Sequence, residues 1–262
     1  MMDAQAIERI VMSTLHLFID ESDPPEFGSG CFVQYRDIDF LFTVAHNTEP
    51  SSFDEACDGR NVPVYINLEQ ELDGQIATWG PCWMSFIYGV DVVEDIDNQL
   101  IHETQVAIRQ DGVRGLWDIC YRILKSIPEV LQLPVSDLGI PLSVKKTIVT
   151  SLEDEFDADQ EYGCFGRIRP SFDSTVNRWS LESRFHGGIK FSEEIGEMVE
   201  FTLPEKIDDI QEFQGISGAP ILDSNGRLVA LVSMAEEHTN KLYGFSAKAL
   251  KRFLDLEVNQ QA

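Results

Sequence analysis

Cysteine is scarce in this chain of 262 residues. There are five (Cys31, Cys57, Cys82, Cys120 and Cys164), and no two stand in C-x-x-C spacing. An odd count without paired spacing argues against a disulfide framework or a zinc site, and predicts reduced, mostly buried thiols. Histidine is equally sparse, with five and no His-x-x-x-His pair, so neither a metal nor any other cofactor is expected. Basic residues are few: 20 Lys and Arg stand against 45 Asp and Glu, for a net charge of −25. Such a surface repels phosphate backbones, and no nucleic-acid partner is expected. No apolar run reaches the roughly 18 residues of a membrane-spanning helix, so no membrane partner is expected either. The first residues lack a basic patch followed by an apolar core, which predicts no signal peptide and a cytoplasmic location.

What the chain does have is apolar content, 43% of residues, cut into short runs by turn residues. Ser13–Ile19, Cys31–Tyr35, Phe40–Ala45, Val62–Leu68, Ile76–Val90, Tyr162–Ile168, Arg178–Phe185 and Met198–Leu203 read as strands. Many short strands with turns between them predict a mainly β protein of two antiparallel six-stranded barrels. The expected division is residues 1–145 and 146–262. Two helices are expected besides. Leu116, Cys120, Ile123, Leu124, Ile127 and Leu131 fall at helical spacing, which predicts an amphipathic helix inserted over 113–131. A second amphipathic helix is expected at the C-terminus, beyond Phe245.

One stretch carries chemistry, Phe213-Gln214-Gly215-Ile216-Ser217-Gly218-Ala219-Pro220. Ser217 sits in a glycine-bracketed loop ahead of Ile221-Leu222, an Asn225-Gly226 turn and the run Leu228–Val232. A hydroxyl there can serve as a nucleophile beside backbone N–H groups able to hold an oxyanion. Upstream, the apolar run Phe40–Ala45 ends in His46, placed to project into a cleft. Asp137 lies between them in the apolar stretch Val135–Leu142, at the expected edge of a strand, where a carboxylate must find donors. Acyl transfer needs these three groups: an attacking serine, a histidine to take its proton and an acid to orient the histidine.

The order His46, Asp137, Ser217 resembles that of the trypsin-like, chymotrypsin-fold serine proteases. Gly28-Ser29-Gly30 followed by Thr43-Val44-Ala45-His46 is similar to that family's histidine motif. Gly215-Ile216-Ser217-Gly218-Ala219-Pro220 is similar to its serine motif, and Asp137-Leu138-Gly139-Ile140 to its aspartate motif. Tyr243-Gly244-Phe245-Ser246-Ala247 resembles the ending of the high-temperature-requirement branch of bacterial proteases. The resemblance implies a serine endopeptidase that forms an acyl-enzyme on Ser217, with an oxyanion hole at the N–H groups of Gly215 and Ser217. Its substrate would be a peptide or protein, contacted at Ser233, Met234, Gln211 and Gly244. It further implies that Thr43 bonds the aspartate and that Ser233 lines the aspartate's far side. Asp91 is the rival acid.

The sequence departs from the family at Ile216, where secreted members carry the aspartate used in zymogen activation, and at Asn47, where they often carry cysteine. These departures suit a disulfide-free intracellular enzyme. The missing zymogen device, the acidic surface and the inserted helix motivate gating by a regulatory protein partner, as in an effector of a bacterial stress or defence system. The alternative is a catalytically silent barrel that binds proteins, since fold does not fix function.

Overall fold

Helix α1 (Ala4–Ser13) opens on Asp3, whose carboxylate accepts the Ala6 N–H at 2.8 Å and so caps the first turn. Its apolar face, Ile10 and Val11 among others, is fully buried. The structure, a computed structural model, describes residues 2–19, 26–48, 63–72, 75–88, 116–132, 135, 138–173, 175 and 178–261.

After α1 come β1 (Leu15–Ile19), β2 (Glu26–Tyr35), β3 (Ile38–Thr43), β4 (Val64–Leu72), β5 (Gln75–Cys82), β6 (Ser85–Tyr88) and β7 (Leu116–Leu124). They form one antiparallel sheet in the order β5-β4-β1-β2-β3-β7-β6. β2 and β3 are joined by Arg36 and Asp37, both at positive φ, the two-residue turn whose twist suits a hairpin. The second unit is a closed six-stranded barrel of β8 (Tyr162–Asp173), β9 (Arg178–Ile195), β10 (Met198–Thr202), β11 (Pro220–Asp223), β12 (Leu228–Ala235) and β13 (Lys241–Ser246). Helix α2 (Ala247–Gln261) follows directly.

Two helices join the units. Ile10 of α1 and Leu250 and Leu254 of α2 share one buried cluster with Phe40 and Phe42 of the sheet and Phe165 and Leu231 of the barrel. Phe253 of α2 meets Tyr121 of β7 edge-on, with ring centroids 4.7 Å apart. The segment between the units is stitched to both: Val149 pairs with Val33 of β2, and Leu152 with Leu228 of β12. Cys31, Cys82, Cys120 and Cys164 are buried free thiols.

Two expectations fail here. Residues 116–124 are strand β7, not part of an amphipathic helix. Ile119 belongs to one buried cluster, against which Tyr121 and Ile123 also pack, whereas Cys120 and Leu124 belong to another. A strand covered on both faces loses its polar alternation, and apolar spacing then no longer separates it from a helix. The stretch Leu138–Leu142 is irregular rather than a strand edge. Asp137 and Asp91 lie outside the described residues.

Candidate active site

His46 leaves the end of β3 on a single 3-10 turn, Ala45–Thr48. Its carboxylate partner comes from β7. Thr43 pairs with Cys120 in the antiparallel β3–β7 ladder. Continuing that register by two residues sets Asp118 beside the His46 turn. Asp118 Oδ1 accepts the His46 backbone N–H at 3.0 Å, and the ring nitrogen Nδ1 lies 3.0 and 2.9 Å from the two carboxylate oxygens. A carboxylate facing Nδ1 holds the proton on that nitrogen and leaves the Nε2 lone pair free as a base. The pair is half-buried, with side-chain exposures of 48% and 32%. Asp118 thus occupies the place that the sequence reading gave to Asp137.

Ser233 supplies a third donor to this carboxylate, 2.5 Å from Oδ2. It is the extra residue of a bulge. Val232 pairs with Gly244 and Met234 with Tyr243, so Ser233 has no opposite number on β13. Bulges re-aim side chains, and this one turns the hydroxyl toward Asp118.

Ser217 is reached through the backbone. Its carbonyl accepts the Ser29 N–H at 2.9 Å and Asn47 Nδ2 at 3.0 Å. Asn47 follows His46 directly, so the loop bearing the serine is bolted to the turn bearing the histidine. Asn47 Nδ2 also donates to Thr43 Oγ1 at 2.9 Å, and Thr43 Oγ1 donates to the Ser29 carbonyl at 2.6 Å. Thr43 therefore serves Ser29 and Asn47, not the aspartate. Ser29 Oγ donates to the Gly215 carbonyl at 2.6 Å.

Within the loop, the N–H groups of Phe213, Gln214, Ile216, Gly218 and Ala219 all donate to backbone carbonyls. Those of Gly215 and Ser217 donate to no group among the described residues. Two unpaired N–H groups flanking one residue are what an oxyanion hole requires. Gly218 must be glycine. Its φ is +88°, and an added Cβ would stand 2.1 Å from the Ser29 carbonyl oxygen. Ile216 is 1% exposed and packs on Gly166 of β8, where a Cβ would fall 2.8 Å from its side chain. Burial, not an ion pair, anchors the loop at this residue.

The remaining candidates scatter. Met234, 56% exposed, stands on β12 beyond the end of β11, whose pairing with β12 reaches only Leu231. Gln211 is exposed on the 3-10 turn Ile210–Glu212. Gly244 faces the barrel interior, where an added Cβ would meet Ala230 at 2.8 Å and Ile221 at 3.2 Å. No group of metal-ligating side chains occurs among the described residues, and none of their helices is long and apolar enough to cross a membrane.

The chain folds as a chymotrypsin-like double barrel with the candidate residues drawn from both halves. It is similar in structure to human heparin binding protein, with a TM-score of 0.57 at 14% sequence identity over 96% of this chain and 93% of that one. A serine endoprotease of Yersinia pestis aligns at 0.48 and 10% identity over 96% and 64% of the two chains. The active form of a Mycobacterium tuberculosis protease aligns at 0.45 and 10% over 95% and 82%. The fold assignment rests on the first of these. The sequence matches no protein-family model and no curated protein.

Proposed function

We propose that the chain is a serine endopeptidase that works through His46, Asp118 and Ser217. One observation carries this reading. The Asp118-bound imidazole and the serine loop, from opposite halves of the molecule, are tied together by Asn47 between His46 and the Ser217 carbonyl. In this scheme Nε2 of His46 takes the Ser217 proton as the hydroxyl attacks a peptide carbonyl, then returns it to the leaving amine. Asp118 stabilises the imidazolium in between, with Ser233 as a further donor to it. Water repeats the sequence on the acyl-enzyme. The N–H groups of Gly215 and Ser217 receive the oxyanion, each worth about 2.7–4 kcal/mol of barrier. The open edge of β12 at Ser233–Ala235 would pair with the backbone of an extended peptide. A regulatory protein partner belongs to the same proposal.

A second reading, a catalytically silent binding barrel, is favoured by one feature: no hydrogen bond among the described residues joins Ser217 Oγ to His46. Such contacts often tighten only with substrate in place. A fluorophosphonate probe separates the readings. Labelling of the wild type, lost in Ser217→Ala, supports the endopeptidase. No labelling of either supports the silent barrel, and equal labelling of both removes Ser217 as the nucleophile.

A further inference from the structure

A second polar cluster lies buried where the two halves meet, and the scheme above does not use it. Glu69 sits on a bulge of β4 at φ +57°, with its own N–H bonded to Asn67 Oδ1 at 2.8 Å. Its side chain is 1% exposed, and its Oε2 accepts Arg167 Nη2 of β8 at 2.6 Å, the arginine side chain being 14% exposed. His16 of β1 approaches from one side, with Nε2 3.7 Å from Glu69 Oε1. Lys146 approaches from the segment between the units, over the Phe165 ring, and donates to the Val11 carbonyl at 2.9 Å. Burial, followed by the field of Arg167, holds His16 well below the ordinary histidine range, so the imidazole is neutral. Burial likewise draws the Lys146 ammonium down, to about 7. Arg167 is left as the fixed cation facing Glu69.

Such a cluster is costly. Among the described residues, His16 Nδ1 and Nε2, Glu69 Oε1 and Arg167 Nε are buried with no hydrogen-bond partner. A buried pair of this kind is weak as a source of stability and stronger as a fixer of geometry.

Its position says which geometry. Arg167 is the residue on which the serine loop rests. A Cβ on Gly215 would fall 2.3 Å from the Arg167 carbonyl oxygen, and the adjoining Gly166 underlies Ile216. His16 pairs in register with Ser29, the residue that bonds the Gly215 and Ser217 carbonyls. The cluster therefore reaches the loop by two routes, from β8 below and from β2 beside it. We propose that Glu69 and Arg167 are positioning residues for the serine loop. Their ion pair, made between the halves, fixes β8 at Arg167 and so holds Gly215 at φ +92° with its N–H unpaired. As a device of catalysis this rests on the endopeptidase reading, whereas its effect on the loop does not.

The test is amide hydrogen exchange on the full chain at neutral pH, comparing wild type, Glu69→Gln, Arg167→Met and the double variant. The reporters are the bonded amides of Ile216, Gly218 and Ala219, with Leu228–Ala230 of β12 as reference. Each single variant is expected to speed exchange in the loop at least about tenfold relative to the reference strand, and the double variant no more than either single one, because both singles break one interaction. Unchanged loop exchange, or equal acceleration in loop and reference strand, overturns the proposal. Should Glu69→Gln fail to fold, Glu69→Asp keeps the charge, shortens its reach and carries the same comparison. Fluorophosphonate labelling runs in parallel. A wild type that does not label removes the endopeptidase reading and leaves the exchange result standing. Where the wild type labels, the two single variants are expected to label about tenfold more slowly, and an unchanged rate overturns the catalytic role.

Discussion

At the scale of single residues, Asp118 carries the most weight. It accepts from the His46 backbone, the His46 ring and Ser233, so an amide in its place would turn an N–H toward at least one donor and disturb the tautomer. Asp118→Asn is expected to lower the rate of ester hydrolysis by about a thousand- to ten-thousand-fold with folding intact. Asp137→Asn should leave the rate unchanged. Loss of activity in the second variant and not the first would reverse the assignment. Gly218 is the other position without latitude. Gly218→Ala forces a methyl against the Ser29 carbonyl and Thr43 Oγ1, 2.1 and 2.4 Å away, at a left-handed φ. The strain and crowding together are expected to cost at least about 2 kcal/mol. Chemical denaturation measures that cost, and a midpoint equal to wild type would contradict it. Local pattern exposed some of these residues and not others. Ser217 and His46 are legible because a glycine bracket and a strand exit are short-range features. Asn47 could be read only as a missing cysteine, since its use depends on a serine loop 170 residues away.

Among the elements, β7 and β9 decide most. β7 brings Asp118 to His46 only because it is a strand in register with β3. A helix over the same residues would have set Asp118 beside Arg122, one turn on. β9 supports the serine loop from outside, where His186 stacks on Phe213, ring centroids 4.5 Å apart and planes 25° from parallel. Its Nε2 is buried and has no hydrogen-bond partner among the described residues. Burial, with Arg184 adding to it, pulls His186 down to about 4. The folded state thus keeps this histidine neutral where the unfolded chain, near 6.5, takes up a proton. Stability from this residue is complete above pH 6.5 and falls as pH drops from 6.5 toward 4, by up to about 3 kcal/mol. His16 is depressed for the same reason and acts in the same direction. Melting temperature should therefore fall steeply between pH 6.5 and pH 4, and His186→Phe, which keeps the stacking, should make the fall shallower. A pH profile identical to wild type would show that His186 is not the group responsible.

Over the whole molecule, charge sets the balance. Even with all 20 basic side chains paired, 45 − 20 leaves 25 carboxylates without a cation. Exposed pairs such as Lys248–Glu194 and Lys251–Asp154 tie α2 down, but each contributes only about 0–1 kcal/mol. Self-repulsion of the surplus is expected to outweigh them. Raising salt from about 10 mM to about 150 mM shortens the screening length from roughly 30 to 8 Å, and is expected to raise the melting temperature. A fall would mean that the surface pairs dominate. The likeness to heparin binding protein is a likeness of fold alone.

The sequence by itself determined the mainly β architecture, the terminal helix, the serine loop and the histidine at the end of its strand. Each of these is written in neighbouring residues: alternation, turn chemistry and glycines where backbone must approach backbone. Tertiary structure decided the rest. Asp118 meets His46 because Thr43 pairs with Cys120, and register is a property of two strands together. The loop is held by Asn47, Ser29 and the carbonyl of Arg167 because the two halves close on one another. Arg167 meets Glu69 98 residues away, a distance over which no local pattern carries information.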